Sequence, residues 1–296
     1  MGYNCVVLVK QVPDTANITG QAMKEDGTVN RAALEAIFNP DDLHALEMAL
    51  QVKDAHGGQV TVLTMGPPRA SDILRESLYR GADQVALISD RKFAGSDTLA
   101  TSYALKCAVE LIGEYDLVFC GRQAIDGDTG QVGPQVAEKL GLPQITYAES
   151  IQSLEDNQIT VRRAFPRGRE TVQCKLPCLL TVTGSANQPR PPSAHLMLSN
   201  KMAASPLEYE KLLEQWPEFE TEDKLDEYLT QRSLKIPVWT AADIGADESL
   251  LGLDGSPTKV LKVGYVVFEA SESKELAASP DGASALLQDL VQEYIL

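Results

Sequence analysis

The chain has 296 residues, 44% of them apolar, enough for one full-sized core with appendages. Its formal net charge of −16 opposes binding to phosphate backbones, so nucleic acid is not an expected partner; the charge serves solubility or meets a basic partner surface. No apolar run of about 18 residues occurs, so no membrane insertion is expected, and the opening MGYNCVVLVK is too short to read as a signal peptide.

Short apolar runs at 5–9 (CVVLV), 60–63 (VTVL), 85–88 (VALI) and 117–119 (LVF) are continuous rather than alternating, as strands buried on both faces should be. Helical patterns lie between them. Leu43, Leu46 and Leu50 share a face, as do Leu74 and Leu78, then Ala100, Ala104, Cys107 and Leu111, then Val132, Val136 and Leu140. Asn39–Pro40 opens the first helix, with Asn as cap and Pro at the first helical position. This alternation predicts a parallel sheet with right-handed crossovers.

From 147 to 183, SIQSLE, QITVRRAF, ETVQC and CLLTV predict short antiparallel strands. NQPRPP (187–192) is held extended by its prolines. Residues 205–232 predict one or two acidic helices broken at Trp216–Pro217, and 282–295 a final helix carrying Leu286, Leu287, Leu290, Val291 and Ile295. The stretch 236–268 has little periodicity and is expected to lie on a partner subunit.

The five cysteines (Cys5, Cys107, Cys120, Cys174 and Cys178) lack paired spacing and fit a reducing cytoplasm. Cys174 and Cys178 have no histidine nearby and are expected in the core rather than on zinc. No nucleophile–base pattern occurs, so the chain reads as a binding platform whose chemistry belongs to a cofactor.

Ligands of parallel sheets bind beyond the carboxyl ends of the strands, near the reversal of strand order. The segments expected there are KQVPDT (10–15), NPDD (39–42), TMGPP (64–68), GSDTLATS (95–102) and GRQAIDGDTGQVGP (121–134). In the last, Gly121, Gly127, Gly130 and Gly133 let backbone N–H groups come close to a ligand, and the helix entered at Pro134 favours an anion. Asp126 and Asp128 are expected to cap that helix or accept from ribose hydroxyls. Asp97, Thr98, Thr101 and Ser102 open another helix; they cap it, or hold a pyrophosphate with the surplus. Lys10 and Arg122 are either solvated loop charges or neutralise a phosphate or a reduced flavin. Arg162, Arg163, Arg167 and Arg169 crowd one hairpin of an acidic chain, as a partner or phosphate surface or simply an exposed turn.

VKQVPDT, FNPDD, TMGPP, GRQAIDGDTGQVGP, LGLPQ, KLPCLLTV and GSPTKV together resemble the beta subunit of electron transfer flavoproteins, through about residues 1–190 and more weakly 236–268. The resemblance implies an α/β fold with a doubly wound, mostly parallel sheet of the adenine nucleotide alpha hydrolase-like kind. A small antiparallel addition and an extended C-terminal arm complete it. The implied domains are 1–190 for nucleotide binding, including hairpin strands 147–183; 191–235 as docking loop and acidic helical insertion; and 236–296 as an arm and helix on the alpha subunit.

The nucleotide contacts implied are Leu8, Asn39, Pro40, Asp41, Asp42, Met65 and the run Gly121, Arg122, Gln123, Ala124, Ile125, Asp126, Gly127, Asp128, Thr129, Gly130, Gln131 and Val132. Ordinary members hold AMP there; electron-bifurcating members hold FAD, which takes a hydride from NADH. DTLATS and GRQAIDGDTGQVGP resemble the bifurcating form. The partners this implies are the alpha subunit, an acyl-CoA dehydrogenase-type or quinone-linked redox protein reached through Leu196 and Leu198, and ferredoxin or flavodoxin. AFPRGR (164–169) and the helices of 205–232 depart from the family pattern. An ordinary AMP-holding carrier and a non-redox nucleotide sensor are the alternatives.

Overall fold

The computed structural model of the chain describes residues 2–14, 35–258 and 275–292. They belong to two units, Met1–Leu261 and Lys262–Leu296. Thr15, the stretch 259–268 and Ile295, named above, lie outside the described residues.

The elements of the first unit are, in chain order, β1 (Cys5–Leu8), β2 (Gln11–Pro13), β3 (Ala36–Phe38), α1 (Pro40–His56), β4 (Val60–Met65), α2 (Ser71–Arg80), β5 (Gln84–Ile88), α3 (Thr98–Ile112), β6 (Leu117–Gly121), α4 (Val132–Leu140), β7 (Gln144–Glu155), β8 (Gln158–Phe165), β9 (Gly168–Lys175), β10 (Cys178–Val182), α5 (Ala194–Asn200), α6 (Tyr209–Gln215), α7 (Glu222–Gln231) and β11 (Val238–Trp239). Nine strands form one sheet in the order β11-β5-β4-β1-β6-β10-β7-β8-β9. Neighbours from β11 through β7 pair in parallel; β7, β8 and β9 form an antiparallel meander. β2 and β3 form a separate antiparallel pair.

Consecutive strand residues point to opposite faces, and here both faces are covered. Val7, Phe119 and Leu180 enter the core shared with Leu46, Leu50 and Leu74 of α1 and α2. Val6, Val118 and Leu179 enter the core shared with Ala104, Ala108 and Val136 of α3 and α4. This is why the strands read as unbroken apolar runs. A Cβ on Gly133 would run into Cys120 Sγ and Thr181 Cγ2, so glycine lets α4 lie close on the sheet.

Two expectations are corrected. Cys178–Val182 is not antiparallel: it lies parallel between β6 and β7, all five residues buried. Residues 236–258 do not await a partner in order to pack. β11 pairs with β5, Leu87 N–H donates to Pro237 O at 2.9 Å, and Ile236, Ala241, Ile244 and Leu251 are buried in this unit's own core. The acidic segment forms α6 and α7 with its break at Trp216–Pro217, as the sequence predicts. It packs through Tyr209, Leu225 and Leu229, and Glu208 pairs with Arg75 of α2 at 2.9 Å.

In the second unit α8 (Pro280–Gln292) leaves Leu286, Leu287 and Val291 exposed. Among the described residues no helix is long and apolar enough to cross a membrane, and no side-chain cluster is suited to a metal ion.

Candidate nucleotide-binding site

From β1 the chain steps through β4 and β5 toward one edge, whereas β6 and β10 lie on the other side of β1. The carboxyl ends of β1 and β6 therefore flank the reversal of strand order, where a parallel sheet opens a ligand crevice. The N-terminus of α1 is stitched across both. Asp42 Oδ2 accepts the Lys10 N–H at 2.9 Å and Oδ1 accepts the Gly121 N–H at 2.8 Å. A Cβ on Gly121 would collide with that carboxylate, so the close approach requires glycine.

Asn39 stands at the head of α1 without capping it through its side chain, contrary to expectation. Its amide instead grips the loop after β6: Nδ2 donates to Gln123 O at 2.9 Å and Oδ1 accepts the Ile125 N–H at 3.1 Å. Arg122 N–H donates to Val182 O at 2.8 Å, tying the same loop to β10. Lys10 Nζ spans the crevice to both oxygens of Asp126, at 2.8 and 2.7 Å. Asp128 accepts from Gln123 Nε2 at 2.9 Å. In these bonds Asp126 answers Lys10 and Asp128 answers Gln123. The loop's first half is thus pinned, while Gly127, Asp128 and Thr129 stand exposed. Beyond Gly127 a Cβ would meet nothing within 4 Å, so that stretch borders open space.

Two helix starts converge beside this loop. Gln131 heads α4 with no side-chain cap, which leaves first-turn N–H groups to solvent or a ligand. Thr98 Oγ1 donates to Gln131 Oε1 at 3.0 Å, tying the start of α3 to that of α4. At α3 itself Asp97 is the cap. The Asp97 carboxylate takes the N–H groups of Leu99 and Ala100 at 2.9 and 3.1 Å, and also the Thr258 hydroxyl at 2.6 Å. Burial pushes the Asp97 carboxyl up, but these hydrogen bonds outweigh it and hold it below the ordinary range. What α3 offers is therefore hydroxyls rather than free N–H groups. Thr98 and Thr101 are half-exposed, whereas Ser102 is fully buried, its one hydroxyl proton shared between Leu99 O and Gln135 Oε1.

Leu8 sinks its side chain into the α3–α4 core, Met65 packs at its margin from the end of β4, and Val132 does so from α4. The Asp97–Thr258 clasp escaped the sequence reading; its one signal is GSPT (255–258). Uncapped α4, exposed glycine backbone and paired threonine hydroxyls suit the phosphates of a nucleotide.

Burial raises the Asp42 carboxyl to about 7, against the opposing pull of its Gly121, Lys10 and Asn39 hydrogen bonds. An unfolded aspartate releases its proton near pH 3.9. Between about pH 4 and 7 the native state alone keeps the proton, so this group's contribution falls as pH rises across that window, by at most on the order of 4 kcal/mol. Asp42→Asn, which cannot titrate, should flatten the pH dependence of the thermal midpoint there; an unchanged slope would place the titration elsewhere.

An electron transfer flavoprotein domain model matches residues 26–212. The chain is 44% identical over 259 residues to the electron transfer flavoprotein subunit beta of Clostridium acetobutylicum, covering 88% of this chain and 86% of that one. It is 51% identical over 187 residues to the acryloyl-CoA reductase electron transfer subunit gamma of Anaerotignum propionicum, covering 62% and 69%. It is 40% identical over 258 residues to a caffeyl-CoA reductase-Etf complex subunit of Acetobacterium woodii, covering 87% and 86%. With a domain match over more than half of its length and likeness of this extent, the chain belongs to the electron transfer flavoprotein family, among its beta subunits.

Proposed function

We propose that the crevice holds FAD, and that the chain, paired with an alpha subunit in the cytoplasm, is the NADH-oxidising half of an electron-bifurcating carrier. The observation that carries this reading is the bond from Thr98 to Gln131 at the uncapped start of α4, with the half-exposed Thr101 nearby in the first turn of α3. AMP has one phosphate to satisfy; a dinucleotide has two and needs donors beyond a single helix start. The names of two relatives, subunits of acryloyl-CoA and caffeyl-CoA reductase systems, point the same way. A flavin supplies hydride acceptance and one-electron release; the protein's part is to position it and balance its charge. Lys10 would leave Asp126 for a phosphate or reduced ring, and Arg122 already stands beside Asp41 at 3.4 Å.

The deciding experiment is coexpression with the alpha partner followed by cofactor extraction. Two FAD per heterodimer are expected. One FAD with one AMP would replace this reading by the ordinary carrier, a reading favoured by Asp97, whose charge and N–H capture make the α3 start less hospitable to phosphate.

The electrons leave toward ferredoxin or flavodoxin and toward an acyl-CoA dehydrogenase-type or quinone-linked partner. We assign the latter to α5, where Leu198 is 72% exposed and Leu196 half-buried. The approach to α5 is rigid: Arg190 pairs with Glu47 at 2.8 Å and Asp54 at 2.7 Å, and Ser193 N–H donates to Tyr79 O. An exposed apolar anchor of this kind is worth about 2 kcal/mol on truncation. Leu196→Ala with Leu198→Ala should slow transfer to the dehydrogenase and spare NADH-dependent flavin reduction; equal loss of both would make α5 structural. The exposed apolar residues of α8 suit a role on the alpha subunit.

A further inference from the structure

The nucleotide crevice leaves unused the most basic feature of this acidic chain, the β8–β9 hairpin. Its turn borders a cavity of roughly 480 Å³ lined by Asp41, Arg122, Tyr147, Phe165, Pro166 and Ser185 among others. Arginines 122, 162, 163, 167 and 169 stand here against the carboxylates of Asp41, Glu149 and Glu170, a local positive excess on a chain of net charge −16. Arg162 and Arg169 share Glu149, at 3.5 and 2.6 Å, and Arg163 meets Glu170 at 3.0 Å. Arg167, in the turn itself, has no ion pair among the described residues and is exposed.

Two aromatic side chains stand at the same place, Tyr147 44% and Phe165 43% exposed. Tyr147 has φ +58°, a costly backbone conformation for a non-glycine residue, and sits where the β7 pairing with β10 slips register, just before the slip against β8 between Ala148 and Ser150. Its N–H is held by Thr181 Oγ1 at 3.1 Å. Exposed aromatics ringed by arginine are the composition of a protein-binding hot spot. The charge selects an acidic partner, and the small apolar area, rimmed by arginine, fits a transient rather than a permanent one.

Arg122 both lines this cavity and begins the loop that borders the nucleotide crevice, so a protein seated on the hairpin lies next to that crevice. We propose that the β8–β9 turn, with Tyr147, Phe165 and Arg167, is the docking surface for a small acidic electron-carrier protein. The proposal rests on the reading of the chain as a carrier subunit, but its test does not: it measures binding, not electron transfer.

The test uses the full heterodimer and titrates it calorimetrically with oxidised ferredoxin and, separately, with flavodoxin. The double variant Phe165→Ala, Arg167→Glu is chosen because it leaves Arg162 and Arg169 on Glu149. At low salt, one of the two carriers should bind the wild type, more weakly as salt rises from about 50 to 500 mM, and the double variant about tenfold more weakly still. Heterodimer yield and extracted nucleotide should match the wild type. Unchanged affinity in the variant, absence of salt dependence, or failure of both carriers to bind the wild type overturns the proposal. So does loss of the heterodimer in the variant, which would give this face to the alpha subunit. Cofactor extraction reports on the function proposed above whatever the titration gives.

Discussion

Changing Thr98 and Thr101 together to valine should remove about one flavin per heterodimer and abolish NADH oxidation, with the alpha subunit's flavin retained. Valine keeps the branched shape and deletes only the hydroxyls, which are the donors α3 has left once Asp97 has taken its N–H groups. Each hydrogen bond to a charged phosphate contributes about 1.5–3 kcal/mol, and two together amount to a hundredfold or greater loss of affinity. Thr98 Oγ1 also bonds Gln131, so the variant loosens the α3–α4 junction as well. Thr101→Val alone separates the two effects: it leaves the Thr98–Gln131 bond in place, and flavin content should still fall. A valine variant that keeps both flavins would end the assignment of these hydroxyls to the phosphates.

Asn39→Ala should be the most damaging single truncation near the crevice. Asn39 is fully buried and serves a carbonyl and an N–H of one loop at once. Alanine strands both, and each buried group left without a partner costs about 1–3 kcal/mol. Part of that cost is avoidable if the loop 122–131 moves away, and movement is what a ligand-binding loop cannot afford. The variant should therefore show both a thermal midpoint lower by several degrees, as a loss of a few kcal/mol implies for a domain of this size, and nucleotide release during gel filtration. Full retention of nucleotide would mean that Lys10–Asp126 and Arg122–Val182 hold the loop without it. Asn39→Asp is no rescue, since it keeps the acceptor for Ile125, loses the donor to Gln123 and buries a charge.

Much of this was legible in the sequence because the physics was local. Runs such as CVVLV announced strands covered on both faces, and loops rich in glycine and aspartate announced the crevice edge. Where the sequence reading failed, the deciding partner was distant. Nothing within CLLTV says whether it pairs with the adjacent hairpin or with β6, about 60 residues earlier (Cys178 with Leu117). Residues 236–258 bury Ile236, Ala241, Ile244 and Leu251 at irregular intervals, which no helix or strand period picks out. β2 and β3 have three residues each, too few for a pattern. The charged residues of these loops are visible in the sequence, but a cation's counter-ion is a tertiary fact: Lys10 found Asp126, 116 positions away.

The late arrival of β10 shapes how this chain is made. As it leaves the ribosome, β1, β4, β5 and β6 can assemble first, but β6 then ends the sheet with an unpaired edge. β7 is synthesised next, yet it has no place beside β6, because that berth belongs to a strand not yet translated. The meander β7–β9 must therefore form on its own and wait, joined to the sheet only when Cys178–Val182 slides between. Such non-local closure is slow, and an apolar edge left open meanwhile invites pairing with another nascent chain. Synthesis at lower temperature, or with a chaperone that shields strand edges, should raise the yield of soluble chain more than adding flavin does.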